Sequence, residues 1–453
     1  MNACSMPLSQ AAAYLGAELP EQDLVFKGVS TDTRSVSQGE LFIALQGDHF
    51  DAHEFLEQAV ASGAVAAVVS RPVPAGVPVL MVEDTRLALG LLAGAWRAQF
   101  DTPVVGVTGS NGKTTVKEMV ATILKQDGRP LVTQGNLNND IGVPLTLFNL
   151  DSSHTHAVIE MGANHIGEIE YLAGIAKPEV GVVTNAMSAH LEGFGSLDGV
   201  ALAKGEMFAA LEETGTAIIN CDDTYADDWR DRAQPARVLG FGLSEAADIS
   251  AEHIRFDVKA WQTCFTLRTP SGEIEINLPM AGQHNVMNAL AAAAATFALG
   301  MSLEIIQQGL AEMSCVKGRL FAQRTHHGAQ LIDDTYNANP DSLQAGLDVL
   351  AQLPGKRILV IGDMAELGDD SEALHSDIAA QAREAGVQFL YALGKQSAAA
   401  VERFGNGAHH FMEHDALSHA LSEELDENSV ILVKGSRSAR MERVVNALLE
   451  DDE

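Results

Sequence analysis

Positive charge is the first thing this chain lacks. Its 453 residues carry 29 Lys and Arg against 61 Asp and Glu, a formal net charge of −32. That argues against nucleic acid as a partner, because such affinity rests on cationic contacts to phosphate. It does not exclude a nucleotide, for which a few local cations and backbone amides suffice. Elsewhere the acidity serves solubility. Cysteine is nearly absent too. Cys4, Cys221, Cys264 and Cys315 are scattered and never form C-x-x-C, so neither a disulfide framework nor a cysteine zinc site is suggested. No cation precedes Lys27, so the start has no signal-peptide character. Long apolar runs are missing as well. "ALAAAAATFALGM", Ala289 to Met301, falls short of the roughly 20 residues a membrane span needs. Low-complexity segments and short tandem repeats are also lacking. A cytoplasmic protein without membrane insertion is the expectation.

What is present is an alternation of short β-branched runs with helical stretches. "AVAAVV", "VLMV", "VVGVTG", "AVIEM", "VGVVTN" and "TAIIN" read as strands at wide spacing, the pattern of βαβ units around a parallel sheet. The texture then changes. "ADISAEHIRF", "WQTCFTLRT" and "GEIEINLPM" sit close together and read as an antiparallel insert, followed by an Ala-rich helix from about Asn285 to Leu299. After "CVKGRL" the alternation restarts with "AQLIDD", "RILVIGD", "QFLYALG" and "SVILVKG". The expected architecture is α/β in three parts: residues 1–83, 84–314 and 315–453.

"GVTGSNGKTTVKEM", Gly106 to Met119, departs from the spelling G-x-x-x-x-G-K-[ST], since Val107 stands where the first Gly belongs. Its setting still points to phosphate. A buried strand precedes it. The helical spacing of Val116, Met119, Val120 and Ile123 follows. Gly109, Ser110, Asn111 and Gly112 therefore lie at a helix N-terminus, where free N–H groups and the helix dipole favour an anion. Lys113 can neutralise terminal phosphates, and Thr114 can offer a hydroxyl to Mg²⁺, with Thr115 beside it. Ligands of open parallel sheets gather at strand carboxyl ends. Glu160 ends "AVIE", and His190 follows "VGVVTN" by a few residues, so both should reach the same edge as candidate metal partners. Lys204 lies in a helical stretch with Leu197, Val200, Leu202 and Phe208, and by pattern alone reads as a solvated charge.

"TGSNGKTT", "NAMSAHLEGFGS" with "AKGEMF", "GQHNVMNALAA", "KGR" and "DDTYNANPDS" together resemble the Mur ligase family, the ATP-dependent amide-forming enzymes of peptidoglycan synthesis. The family's loop is spelled T-G-[ST]-x-G-K-[TS], so Val107 is no defect. The resemblance covers essentially the whole chain. It implies a UDP-sugar-binding part at 1–83, where "STDTRSVSQGELFIALQGDHFDAHEF" carries Ser30, Thr31, Asp32 and Arg34 as candidate contacts. Ala52 stands where a Gly is common, in front of His53. It implies a central P-loop ATPase part at 84–314 and a Rossmann-like part at 315–453 for the amine.

"GNLNNDIGVPLTL", "GDMAELG" and "KGSRSARME" are most similar to members that join D-alanyl-D-alanine to UDP-N-acetylmuramoyl-tripeptide, and the D-N-P-R motif of members adding diaminopimelate or lysine is absent. The implied cofactors are ATP and two Mg²⁺. Lys113 and Thr114 would hold phosphates and one metal. Glu160 would bridge to the metals, and His190 would bind the second. Lys204 matches a carbamylated lysine, N6-carboxylysine, which requires a depressed pKa. Asn285 and Asn288 match adenine-side asparagines or else line the Ala-rich helix. Arg319 matches an arginine near the phosphates, and Asp334 (with Asp333 the competing choice) an acid near the ribose. Asn138, Asn139 and Asp140 lie where the muramoyl peptide would pass. Asn337, Asn339, Ser342, Lys434 and Arg437 are candidates on the C-terminal side, and a monomer is expected. The alternatives are a folylpolyglutamate synthetase-like ligase, whose loop usually ends G-K-G-S, and a P-loop ATPase that hydrolyses ATP without a small amine.

Overall fold

The computed structural model describes residues 2–47, 50–188, 191–314, 316–367 and 370–449. Three parallel-type sheets follow one another along the chain. The first has four short strands in the order Val29–Ser30, Leu41–Ile43, Ala66–Val69, Val79–Met81, all parallel. Ser5–Pro7 pairs antiparallel with Val25–Lys27 beside it. "AVAAVV" and "VLMV" are therefore strands as read. The strands Val29–Ser30 and Leu41–Ile43 carried no clear signal, being too short to show a period.

The central sheet has six parallel strands in the order Pro130–Val132, His156–Glu160, Val104–Thr108, Val180–Val183, Thr216–Asn220, Arg237–Phe241. Covered on both faces, it needs unbroken apolar runs rather than alternation, and every residue of Val104–Thr108 is buried. Glu160 pairs with Val107, and Val183 with Thr108, so the three strands end level. That register brings the glycine loop, Glu160 and the segment after Val183 to one edge.

The helix Lys113–Leu124 buries Val116, Met119, Val120 and Ile123, the stripe expected from the spacing. It packs on the Ala-rich helix Gln283–Ala298. Alanines let the two axes approach closely. Where a large side chain such as Leu290 is sealed there, truncation to alanine costs about 2–5 kcal/mol.

The antiparallel insert is present as three strands, Ser250–Asp257, Gln262–Thr269 and Gly272–Leu278. The middle one buries Thr263, Phe265 and Leu267 in strict alternation, one face to the core and one toward solvent. The C-terminal sheet runs Phe321–Arg324, Gln330–Asp334, Ser429–Lys434, Lys356–Gly362, Phe389–Leu393, Ala408–Phe411, with only the first strand antiparallel.

The helix Thr85–Arg97 is capped by Asp84, whose carboxylate accepts the N–H groups of Arg86 and Leu87. It buries Leu89, Leu92 and Trp96 in a core shared by the first sheet and the central helices. Among the described residues no helix is long and apolar enough to cross a membrane.

Candidate functional site

A cleft of 1590 Å³ opens at the carboxyl ends of the central strands and faces the C-terminal sheet. The phosphate loop forms its floor. Gly109 has φ +141°, and a Cβ there would come within 1.9 Å of Thr184 Oγ1. Gly112 has φ +82°, and its Cβ would lie 2.3 Å from Asn288 Oδ1. Both glycines are required by conformation and by close approach. The loop is lashed to the next strand's exit. Ser110 N–H donates to Asn185 O at 3.0 Å, Asn111 N–H to Asn185 Oδ1 at 2.9 Å, and the Thr184 hydroxyl to Asn111 O at 2.6 Å. No side chain caps the helix that starts at Lys113. Its first amides are left to an incoming anion.

Lys113 is not the exposed lysine that a helix start suggests. Its ammonium folds back onto Gly109 O (2.7 Å) and Ser110 O (3.0 Å). Burial lowers its pKa, Glu160 opposes that, and Arg319 adds to it. The Thr114 hydroxyl accepts from Arg319 Nη2 at 2.9 Å, and the Arg319 guanidinium lies 4.3 Å from the centre of the Tyr336 ring. Arg319 thus reaches from the C-terminal part onto the loop. Asn111 and Asn339 exchange amides across the same gap, Asn339 Nδ2 donating to Asn111 Oδ1 at 2.8 Å.

Glu160 is 2% exposed. Asn138 Nδ2 donates to its Oε1 at 2.8 Å, while Oε2 is buried without a hydrogen-bond partner. The nearest cation to Oε2 is Lys117, at 3.8 Å, itself sealed and bonded to Thr133 O (2.9 Å) and Glu118 Oε1 (3.0 Å). An orphaned carboxylate oxygen beside a threonine hydroxyl and a phosphate loop suits Mg²⁺, which takes one or two protein oxygens and fills the rest with phosphate and water. Among the described residues no cluster of three or more His, Cys, Asp and Glu could hold an ion by itself. His190 lies outside the described residues.

Lys204 corrects the reading by pattern. On the helix Leu197–Ala209 the buried face carries Val200, Ala203, Lys204 and Met207, while Leu197 is 38% exposed. Lys204 is 2% exposed, and its ammonium lies 3.4 Å from Ala163 O and 4.8 Å from the centre of the Phe194 ring. Burial, with Lys113 adding repulsion, pulls its pKa down to about 7 against weaker support from Glu168 and Glu206.

Asn285 and Asn288 bond locally at the start of the Ala-rich helix and also reach the cleft. Asn285 Nδ2 bonds back to Ala281 O, and Asn288 Nδ2 to Asn285 Oδ1, while both side chains line the cleft. Of the paired acids, Asp334 faces the cleft. Asp333 points the other way, as strand alternation demands, and takes the Thr335 N–H and hydroxyl.

On the C-terminal side much of the polar equipment is already engaged. Lys434 is buried and paired with Asp334 at 2.5 Å, and it also donates to Asn337 O. Asn339 and Ser342 form a capping box on the helix Pro340–Ala351. Arg437 pairs with Glu442 at 3.0 Å and stays largely exposed. Asn139 and Asp140 line the cleft mouth, Asn139 Oδ1 capping Gly142 N–H.

Ser30, Thr31, Asp32 and Arg34 do not line this cleft. Ser30 Oγ donates to Asp32 O, and Arg34 pairs with the Asp32 carboxylate at 2.7 Å, which lowers the acid's pKa. His53 is sealed between Asp51 Oδ1 and the Ser70 N–H, and Ala52 beside it is buried.

Three residues in or behind the cleft wall escaped the sequence reading. Lys117 sits one turn after Lys113 on the face carrying Val116 and Val120, an odd place for a cation. Arg86 occupies a helix first turn, where the dipole disfavours it. It pairs with Asp140 at 2.7 Å. His284 lines the cleft, its imidazole pushed down to about 4 by burial and then by Lys434.

Three family descriptions match successive stretches: "Mur ligase family, catalytic domain" over residues 25–97, "Mur ligase middle domain" over 107–296, and "Mur ligase, glutamate ligase domain" over 318–437. The UDP-N-acetylmuramoyl-tripeptide–D-alanyl-D-alanine ligase of Escherichia coli K12 is 48% identical over 450 residues, covering 99% of both chains. A crystal structure of MurF from Acinetobacter baumannii superposes with a TM-score of 0.94 at 37% identity over all of both chains. MurF ligase from Thermotoga maritima, in complex with ADP, gives 0.85 at 28% identity over 93% of this chain and 96% of that one.

Proposed function

The chain belongs to the Mur ligase family, and we propose that it joins D-alanyl-D-alanine to UDP-N-acetylmuramoyl-tripeptide with ATP as the energy source. The products are UDP-N-acetylmuramoyl-pentapeptide, ADP and phosphate. The observation that carries this reading is the cleft itself: a phosphate loop facing a second, Rossmann-like wall, in a chain 48% identical to a ligase of that name.

A carboxylate is too poor an electrophile to condense with an amine in water. ATP removes the difficulty by phosphorylating the tripeptide's terminal carboxylate. The carboxylate oxygen attacks the γ-phosphorus, and the bond to ADP breaks. The amine of D-alanyl-D-alanine then attacks the acyl carbon, an amide forms and phosphate leaves. The uncapped amides at the start of the helix and the Lys113 ammonium bind the phosphates. Lys113 must leave the Gly109 and Ser110 carbonyls to do so, which its flexible stem allows. Arg319 delivers a second cation from the opposite wall. Thr114 and the free Oε2 of Glu160 would hold Mg²⁺, with His190 and Lys204 assigned to the second ion. When bound, these ions neutralise charge on the phosphate oxygens.

Lys204 is the candidate for carbamylation. An amine with a pKa of about 7 is substantially neutral at physiological pH. Its lone pair can attack CO₂, forming an N–C bond and losing a proton, and the buried cation becomes an anionic oxygen donor. Asn285 and Asn288 are assigned to the adenine side and Asp334 to the ribose side. Asn138, Asn139 and Asp140 are assigned to the peptide. Ser30, Thr31, Asp32 and Arg34 are assigned to the UDP sugar, far from the chemistry. Residues 1–83, 84–314 and 315–453 then serve UDP sugar, ATP and amine, with the helix Thr85–Arg97 at the seam. All these residues come from one chain, so a monomer suffices, and the nucleotide substrates suit the cytoplasm.

The experiment is phosphate release and product mass with UDP-N-acetylmuramoyl-tripeptide, ATP and one amine at a time. D-alanyl-D-alanine should give the pentapeptide, while D-alanine, L-lysine, diaminopimelate and L-glutamate give little. Phosphate release at the same rate without amine would instead mean an ATPase. Productive glutamate with a folate would mean a folate ligase.

A further inference from the structure

The wall that faces the phosphate loop includes a short segment, Asp363–Leu367, at the carboxyl end of the strand Lys356–Gly362. Ala365, Glu366 and Leu367 of this segment line the cleft. It leads toward the helix Ser371–Glu384. Glu366 has φ +62°, so the segment turns through a backbone conformation that side chains rarely adopt. Something must hold it there.

Three anchors do. The Asp363 carboxylate accepts the Ser397 N–H at 2.8 Å. The Asp363 carbonyl accepts the Ser436 hydroxyl at 2.6 Å and its N–H at 3.2 Å. That ties the segment to the turn bearing Arg437 and Arg440, which also line the cleft. The third anchor is His375, 0% exposed. Its Nε2 accepts the Met364 N–H at 3.0 Å, and its Nδ1 lies 2.7 Å from Ser371 O. One nitrogen must therefore accept and the other donate. Only a neutral imidazole carrying its proton on Nδ1 meets both demands. A buried imidazole with both nitrogens committed to backbone is a brace. What it braces is cleft lining.

We propose that His375 is a positioning residue for the amine substrate: through Met364 it fixes the Asp363–Leu367 wall against which D-alanyl-D-alanine seats. The proposal rests on the function given above. The chemistry of the wall suits a D-alanyl dipeptide. Ala365 and Leu367 offer small apolar surface for methyl groups. Arg437, joined to the same segment through Ser436, offers a cation to the dipeptide carboxylate. His375 touches no substrate. Its effect should therefore appear in the binding of one substrate and not in the chemistry common to all.

The test is steady-state kinetics of His375→Phe, which keeps a ring of similar size but removes both nitrogens, and of His375→Gln, whose amide can accept from Met364 and donate to Ser371. In His375→Phe the KM for D-alanyl-D-alanine should rise about tenfold, a misplaced binding wall commonly costing that much or more. The KM values for ATP and UDP-N-acetylmuramoyl-tripeptide should stay within about twofold, and His375→Gln should recover most of the loss. Amide exchange at Met364 should be slow in the parent and fast in His375→Phe. This second readout needs no turnover and stands if His375→Phe folds poorly, because the parent's protected Met364 amide and His375→Gln still report on the brace. An unprotected Met364 amide in the parent overturns the proposal. So does a rise in all three KM values together, or an unchanged amine KM in a His375→Phe enzyme that has lost Met364 protection. If the parent itself does not turn over D-alanyl-D-alanine, the functional reading fails instead, a result distinguishable from any of these.

Discussion

The two walls of the cleft bind by different means. The central wall is made of backbone. Gly109 and Gly112 adopt angles and contacts that no other residue can, and the amides after Gly112 are left uncapped. The C-terminal wall is made of side chains that also hold that part of the fold together. Lys434 neutralises Asp334, Asn339 and Ser342 cap a helix, and His375 braces a segment. A backbone site tolerates no change of residue, yet its binding groups serve little else. In a side-chain site each group divides its work between structure and ligand, so substitutions should give mixed and smaller effects.

The largest expected effect tests the first half of that contrast. Lys113→Ala should lower turnover by roughly 10²–10³ or more, the scale seen when a group facing transition-state charge is removed, with Tm nearly unchanged. Among the described residues the ammonium bonds to its own loop carbonyls alone, so folding should not need it. Phosphate release and calorimetry check both halves, and an active variant would remove the loop from the mechanism. Next comes Gly109→Ala, whose Cβ would meet Thr184 Oγ1 at 1.9 Å and Thr184 N at 3.0 Å. Strain of about 1–3 kcal/mol plus that clash should lower Tm and abolish nucleotide binding together. Gly318→Ala is the matched control from the other wall. Its φ is +79° but its nearest contacts are Tyr336 N at 3.2 Å and Tyr336 Cβ at 3.3 Å, so backbone strain and mild crowding should register without an outright clash. Equal losses in the two variants would show that close approach is not what the loop glycine provides.

This contrast also explains what was legible in the sequence. The central strands, the Ala-rich helix and the loop were readable because buried parallel strands and glycine turns leave local signals. The cleft's buried charges were not. Lys204 has the spacing of a solvated residue, and only the packing of its helix against Phe194 and Ala163 seals it. Lys117 likewise becomes a partner of Glu160 only when the strand His156–Glu160 is set beside its helix. The choice between Asp333 and Asp334 needed strand facing. Family resemblance pointed to Lys204 where pattern could not, and it offered no hint of His375 or Arg86.

Lys204 supplies the next prediction, of intermediate size. Its pKa falls from 10.5 to about 7 on folding. Between those values the unfolded chain binds the proton that the folded chain has released. Stability from this group therefore rises with pH above about 7, and its burial penalty is greatest below that. Lys204→Met should raise stability at pH 6 relative to the parent and flatten the slope between pH 7 and 10, measured by denaturant midpoints. Carbamylation adds a second mark. In CO₂-free buffer the parent should lose activity and regain it with bicarbonate, whereas Lys204→Ala should respond to a small carboxylic acid instead. A parent indifferent to CO₂, with an active Lys204→Ala enzyme, would leave Lys204 a buried amine and nothing more.

The smallest effect separates the two duties of one C-terminal residue. Asn339 caps the helix Pro340–Ala351 through Oδ1, which accepts Ser342 N–H at 2.8 Å. Through Nδ2 it donates to Asn111 of the phosphate loop. Asn339→Ala removes both and should cost about 1 kcal/mol of stability, the usual worth of an N-cap. Asn339→Asp keeps an oxygen for Ser342 and places a negative charge at a helix N-terminus, where the dipole favours it. Its stability should match the parent. It lacks the donor for Asn111, however, and sets an anion beside a loop meant for phosphate. A hydrogen bond of this kind is worth about 0.5–1.5 kcal/mol, so the KM for ATP should rise by roughly two- to tenfold while Tm holds. If Asn339→Asp loses as much stability as Asn339→Ala, the cap is not made by the side-chain oxygen. If its KM for ATP is unmoved, the two walls do not communicate through Asn111, and Arg319 is left as the link from the side-chain wall to the phosphate loop.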